Sequence, residues 1–218
     1  GYKKMIRRAY DIKLFDFKQI IESYLDYTNL PFIHKDYPFA STLISGTDQN
    51  QDLHKKFYNK MDNDERCLFV NTYTKFIKEV ILKPYKCPMV FQTFPTFRIH
   101  QPSNLAVFGW HRDRDYNHSP HEVNYYLPIT EAFGTNTFWY ESEEGKKDFQ
   151  PMEARYGEII EWDGANCRHG NKPNNTGQTR ISFDFRVLTK DNYEKYLPKR
   201  SITQGKKFEI GSYYSYLK

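Results

Sequence analysis

The strand expected over Thr179 to Leu188, late in the chain, alternates in chemistry from Thr179 through Val187. Thr179, Ile181, Phe183, Phe185 and Val187 fall on one side of an extended strand, and Arg180, Ser182, Asp184 and Arg186 on the other. A period of two belongs to a strand and not to a helix. A solvated edge strand would alternate in the same way. Two phenylalanines and two β-branched aliphatic residues on a single face, however, call for an apolar cover, so this segment constrains whatever is built around it.

The same texture begins at Pro88. Met89 to Phe94, Thr96 to Gln101, Glu122 to Ile129, Asn136 to Glu141 and Gly157 to Trp162 also read as strands, separated by Gly, Pro, Asn and Asp clusters. Many short strands with turn signals between them predict an all-β sandwich or barrel, and an aromatic content of 17%, mostly Tyr and Phe, suits such a core. Upstream the period changes. Phe17, Ile20, Ile21, Tyr24 and Leu25 make one helix face, with Asp16 placed to cap it. A second helix is expected from Asp64 to Lys83, stopped by Pro84. Residues 30–60 read as irregular, with Gly46 to Gln51 the expected loop. The chain is therefore expected to be one domain over 1–218, mainly β with N-terminal helices. It divides into helical support over 1–88, a β-core over 89–190 and a C-terminal tail over 191–218.

Within the β-core the run Gly109-Trp110-His111-Arg112-Asp113 carries H-x-D. Residues i and i+2 of an extended segment point to the same side, so His111 and Asp113 can offer an imidazole nitrogen and a carboxylate oxygen to one ion. His169 is the candidate third ligand. Two His and one carboxylate on one side of a metal leave the remaining positions open, which is the donor set of non-haem iron(II) oxygenases. H-x-D alone is weak: His34-Lys35-Asp36 is a second copy, in a Pro/Tyr-rich stretch ahead of the β-core. The later copy is set apart by its downstream partners. His169 comes 56 residues after Asp113, Arg180 comes 11 residues after His169, and Ser182 completes Arg-x-Ser. A planar guanidinium that is always charged suits a carboxylate ligand.

The series His111-x-Asp113, His169, Arg180-x-Ser182 resembles that of the Fe(II)/2-oxoglutarate-dependent dioxygenase superfamily, over roughly residues 90–190. Tyr156 to Trp162, leading to His169-Gly170-Asn171, is similar to the small phytanoyl-hydroxylase-type and streptomycin-biosynthesis-type oxygenases. The resemblance implies a double-stranded β-helix (jelly-roll, cupin-like) core with Fe(II) at its mouth, 2-oxoglutarate as co-substrate and O2 as oxidant. It implies that Arg180 and Ser182 hold the far carboxylate of 2-oxoglutarate. It also implies that the polar face of the Arg180 strand turns into the barrel while Ile181, Phe183 and Phe185 pack under the helices. Halogenating relatives replace the carboxylate ligand with a small residue. Asp113 therefore points to hydroxylation, desaturation, cyclisation or demethylation.

Further positions are set by strand direction. Asn124 and Tyr126 share a face and are expected at the oxo-acid, a cross-strand pair being the alternative. Arg98, Trp139 and Arg186 are candidate substrate contacts; packing is the alternative for Trp139, and ordinary ion pairs for the two arginines. His118 and His121 lie in a loop after H-x-D that could cover the site or be simply solvated. The expected partner is a small-molecule substrate: an amino acid, a sugar or cyclitol, or a natural-product intermediate. The net charge of +5 keeps a nucleic-acid demethylase of the same superfamily as an alternative. No dense Lys/Arg run supports it, and nucleic acid is not the expected partner. A non-catalytic jelly-roll binding module is a further alternative, against which the intact triad and Arg-x-Ser stand. A cupin of other chemistry would be expected to show H-x-H, which is absent from the sequence. Cys67, Cys87 and Cys167 form no C-x-x-C pair, and no stretch approaches the ~18 apolar residues of a membrane span. A reducing cytoplasm is the expected compartment.

Overall fold

The structure is a computed structural model, and it describes residues 4–38, 52–103, 109–196 and 213–217. The expected loop at Gly46 to Gln51 lies outside them. The first strand, β1 (Ile6–Ala9), precedes helix α1 (Phe17–Leu25). Asp16 caps α1 by accepting from Gln19 N at 3.2 Å, and the five apolar residues of its predicted face are all buried. A 3-10 segment (Leu30–Lys35) and helices α2 (Asp52–Asn63) and α3 (Leu68–Phe76) come next. The β-rich part runs β2 (Met89–Gln92), β3 (Thr96–His100), β4 (Val123–Pro128), β5 (Trp139–Tyr140), β6 (Gln150–Pro151), β7 (Glu158–Trp162), β8 (His169–Gly170) and β9 (Arg180–Thr189). Helix α4 (Lys190–Lys195) and strand β10 (Tyr214–Leu217) end it.

Several of these bounds differ from the sequence expectation. Residues 52–63 are helical, not irregular. Leu53, Phe57 and Met61 share a buried stripe at i, i+4, i+8, but polar residues between them mask the period. The helix expected from Asp64 begins at Leu68, because Asp64 forms the preceding turn and accepts from Leu68 N at 3.0 Å. It then continues through a π-helical turn over Ile77–Ile81. The strand expected over Asn136 to Glu141 shortens to Trp139–Tyr140, with Gly134–Asn136 in a 3-10 turn. The N-terminal part also contributes β1, and the expected tail contributes α4 and β10.

The molecule is mainly β, with antiparallel sheets and a few helices. Among the described residues, seven strands make the larger sheet in the order β1-β7-β4-β9-β2-β10, with β3 also on β9. β2 and β3 line one edge of β9 in succession, and β4 lines the other. The smaller sheet is β6-β5-β8.

β9 accordingly lies within the larger sheet. Ile181, Phe183, Phe185 and Val187 enter the main core beneath the helices. Phe183 meets Phe57, Phe69 and Phe97 at ring distances of 5.4, 5.0 and 5.4 Å. Phe57 and Phe97 stack at 4.3 Å. Such aromatic pairs add to the stabilisation from area burial. A second apolar cluster joins Tyr126, Ile160 and Trp162 of the larger sheet to Tyr140 of β5 and Met152 beside β6. The two sheets thus face one another across this cluster. Phe183→Ala is expected to cost about 3–5 kcal/mol, measured by urea unfolding; a loss below about 1 kcal/mol would contradict the placement of this ring at the core centre.

Candidate metal centre

His111 and His169 lie directly opposite each other as an isolated antiparallel bridge. Each backbone N–H donates to the other's carbonyl at 2.9 Å, which brings the rings to 4.6 Å. The chain does not continue as a strand through Asp113. That residue opens a 3-10 turn, Asp113–Tyr116, at whose start Asp115 accepts from Arg112 N at 3.1 Å. The turn is fastened to the segment before His169, since Asp113 N donates to Gly164 O at 3.0 Å. Gly164 has a packing reason: a Cβ there would lie 2.6 Å from Asn124 Nδ2 and 2.9 Å from the Trp162 ring. His169 is walled by Trp162, edge-on at 4.9 Å.

The donor atoms converge. His111 Nε2 is 3.5 Å and His169 Nε2 3.3 Å from Asp113 Oδ1. Neighbouring ligands on an ion with bonds of about 2.1 Å stand roughly 3 Å apart, so a small contraction completes the set. The other imidazole nitrogens decide the tautomer. His111 Nδ1 is 2.8 Å from Gly109 O, and His169 Nδ1 is 2.9 Å from Cys167 O. These carbonyls can only accept, so each Nδ1 carries the hydrogen and each neutral ring turns the lone pair of Nε2 toward Asp113 Oδ1. Three electron-rich atoms facing one another suit a cation between them, and a two-imidazole, one-carboxylate set suits Fe(II). Among the described residues these three are the group whose His, Cys, Asp or Glu donors are placed to share a metal.

Asp113 is almost fully buried and its second oxygen is saturated. Oδ2 accepts from Asn124 Nδ2, Arg186 Nε and Arg186 Nη2, each at 2.8 Å. Burial works against the charge on Asp113. The guanidinium of Arg186 outweighs it and holds the carboxyl well below the usual range. These contacts fix Oδ2 to protein and leave Oδ1 for the metal, the outer-shell orientation that metal ligands need.

Arg180 and Ser182 lie further along the same face of β9. Arg180 is 3% exposed; its Nε donates to Asn136 O at 2.8 Å and its Nη1 to Ser182 Oγ at 2.9 Å. Among the described residues no carboxylate pairs with this buried cation and no acceptor meets its Nη2. On the helix side, burial pushes the His54 imidazole down to about 3, with the positive charges of Arg98 and Arg180 adding to the effect.

The remaining candidates have other partners. Asn124 and Arg186, opposite each other in register, both go to Asp113. The Tyr126 hydroxyl is 3.1 Å from Thr137 Oγ1, inside the cluster between the sheets. Arg98 donates to Asp184 at 2.7 Å. Trp139 donates its indole N–H to Gly134 O, with Lys172 Nζ 3.5 Å above its ring. The second H-x-D copy is dispersed: His34 Nδ1 lies 2.8 Å from Thr179 Oγ1, and Asp36 accepts from Tyr27 at 2.5 Å. His118 stands 2.9 Å from Glu122, a carboxylate 3.8 Å from Arg186.

Glu141 gives no signal in the sequence, yet it supports the site. Its buried carboxylate accepts from Arg168 N at 2.8 Å and from Gly145 N and Lys147 N at 3.1 Å, fastening one loop to the residue before His169. Burial opposes the charge on Glu141, and these backbone donors outweigh it, lowering its pKa. A lowered pKa stabilises the fold above the unfolded-chain value of about 4.3 and ceases to do so as pH falls through the folded value. Glu141→Gln is therefore expected to lower the melting midpoint at pH 7, with the gap closing as pH is lowered below about 4. A constant gap across that range would contradict the role of its charge.

No family model matches the chain. It is 39% identical over 168 residues to the streptomycin biosynthesis protein StrG of Streptomyces griseus, covering 77% of each chain. Among solved structures it is similar to SnoK, a non-haem α-ketoglutarate-dependent carbocyclase from nogalamycin biosynthesis. The TM-score is 0.53 at 10% identity, over 99% of this chain and 92% of that one. It is also similar to iron-bound EctD from S. alaskensis, with a TM-score of 0.51 at 11% identity, over 86% of this chain and 73% of that one. Identity at these levels speaks for the fold alone, whereas the likeness to StrG extends through most of both sequences. The chain belongs to the family of StrG.

Proposed function

We propose that this protein is an Fe(II)- and 2-oxoglutarate-dependent oxygenase that hydroxylates a small metabolite. The observation that carries the reading is the pairing of two sites on one polar surface. One is a three-donor metal set, whose Asp113 is held by Arg186 of β9; the other, on the same face of β9, is the buried guanidinium of Arg180, with no carboxylate partner among the described residues. An unpaired buried cation is costly, and a ligand carboxylate would remove the cost. In this reading the two facing sheets are the walls of a double-stranded β-helix, with the metal at its mouth.

His111, Asp113 and His169 would hold the iron, and with 2-oxoglutarate and O2 it would supply the oxidising chemistry. The protein's own residues do the rest. Arg180 and Ser182 grip the far carboxylate of 2-oxoglutarate and set the direction from which its oxo-acid end reaches the metal. Arg186 and Asn124 keep Asp113 Oδ2 occupied, so that the carboxylate offers a single oxygen to the ion. Trp162, Phe138 and Tyr126 close the space between the sheets to water. The substrate is taken to be an amino acid, a sugar or cyclitol, or a natural-product intermediate, which fits a relative that serves streptomycin biosynthesis. Nucleic acid and membrane are not proposed as partners. A cytoplasmic location is proposed because Cys67, Cys87 and Cys167 form no disulfide with one another, the first two being exposed. Among the described residues no helix is long and apolar enough to cross a membrane.

Anaerobic addition of Fe(II) and 2-oxoglutarate is expected to give a visible metal-to-ligand charge-transfer band. Asp113→Ala abolishes the band while leaving the far-ultraviolet circular dichroism intact. Arg180→Ala keeps metal binding and raises the 2-oxoglutarate concentration for half-saturation by at least about 30-fold, the equivalent of about 2 kcal/mol for a lost buried charge partner. A band that survives Asp113→Ala, or an unchanged half-saturation in Arg180→Ala, contradicts the proposal.

A further inference from the structure

Three carboxylates surround the Arg186 guanidinium. Asp113 Oδ2 accepts from it at 2.8 Å, while Asp184 Oδ1 and Glu122 Oε2 each stand at 3.8 Å. The direction in which the guanidinium leans therefore bears on where the Asp113 carboxylate points. Its remaining corner, Nη1, donates to the hydroxyl of Tyr213 at 3.2 Å. Tyr213 stands immediately before β10, far from the metal ligands in sequence.

The hydrogens along this path have only one consistent direction. Gln92 Nε2 is committed as a donor to Phe94 O at 2.8 Å and Thr96 Oγ1 at 3.1 Å. Gln92 Oε1 is thereby the acceptor, and the Tyr213 hydroxyl donates to it at 3.0 Å. With its hydrogen spent on Gln92, the hydroxyl presents a lone pair to Arg186 Nη1. The backbone holds Tyr213 in place, since its carbonyl accepts from Thr93 N at 2.8 Å and Tyr214 pairs with Gln92 in the β10–β2 register. A neutral acceptor thus occupies the corner nearest Asp184, and the two guanidinium nitrogens Nε and Nη2 stay on Asp113.

We infer that Tyr213 is a positioning residue of the metal centre, acting through Arg186 to hold Asp113 Oδ1 toward the ion, so that β10 is a working part of the site. Without the hydroxyl, Nη1 turns to Asp184 Oδ1 and draws the guanidinium off Asp113. The inference rests on the assignment of His111, Asp113 and His169 as metal ligands, and it does not depend on the reaction.

The test uses the full chain and Co(II) alone, titrated by calorimetry and visible absorption without oxo-acid. Tyr213→Phe is expected to weaken Co(II) binding about tenfold, the lower end of the range for outer-shell partners, with the metal-free melting midpoint nearly unchanged. Ser215→Ala is the control. It removes a β10–β2 side-chain bond to Thr93 Oγ1 at 2.7 Å and touches neither Arg186 nor the ligands, so Co(II) affinity is expected to stay within about twofold of the parent on the same scale. Unchanged affinity in Tyr213→Phe overturns the inference. So does an equal loss in Ser215→Ala, or a collapse of the Tyr213→Phe melting midpoint, because either makes Tyr213 a packing residue. A parent that binds Co(II) but gives no charge-transfer band with Fe(II) and 2-oxoglutarate fails the proposed reaction and leaves this comparison standing. A parent that binds no Co(II) overturns both.

Discussion

Strand β9 is covered on both faces by opposite chemistries, and most of the molecule is arranged around that requirement. Phe183 and Phe185 need an apolar cover, which α2, α3 and β3 supply through Phe57, Phe69, Tyr73 and Phe97. Arg180, Ser182, Asp184 and Arg186 need acceptors or charges, and they find them in Asn136 O, Arg98 and Asp113. A slip of one residue in register would place guanidinium groups among phenylalanines and phenylalanines in the site. Core and site thus enforce the same register from opposite sides.

Charge balance organises the metal end. Asp113 carries one negative charge, and Arg186 and Asn124 take up one oxygen of its carboxylate, leaving the other for a cation. The two imidazoles add no charge in the tautomer that Gly109 O and Cys167 O select. A divalent ion held by one carboxylate keeps net positive charge, which suits an anionic chelating co-substrate. At the far end Arg180 offers a second positive charge. In the proposed function, the metal and Arg180 would be the two attachment points for a dicarboxylate, an arrangement that binds by orientation as much as by strength.

Much of this was legible in the residues, for identifiable reasons. Strand periodicity survives in β9 because both its faces are demanding, so each position reports its side. Helix α1 was legible because Asp16 caps it and its apolar face is unbroken. Helix α2 was not, because Lys55, Lys56, Asn59 and Lys60 surround a stripe only three residues deep. β1 and β10 escaped notice because their neighbours across the sheet, not their own sequences, make them strands. At the site, the spacing of His111, Asp113 and His169 marked residues whose donor atoms the structure brings together, and Arg180 lies on the polar face of β9 that also carries Arg186. The partners of Asp113 were less legible: Asn124 and Arg186 were expected to meet co-substrate and substrate, and their side chains go to the carboxylate. Glu141 and Tyr213 support the site through backbone amides and through a second side chain, and such contacts leave no motif.

Two imidazoles and one carboxylate on one side of a six-coordinate iron leave room for a chelating oxo-acid. Iron K-edge X-ray absorption on the anaerobic Fe(II) protein reads that coordination most directly. The expected spectrum is a six-coordinate shell of nitrogen and oxygen at about 2.1 Å, with two imidazole scattering patterns, one of which is lost when His111 or His169 is replaced by alanine. A four-coordinate shell, a sulfur neighbour, or a spectrum indifferent to those replacements would contradict the assignment.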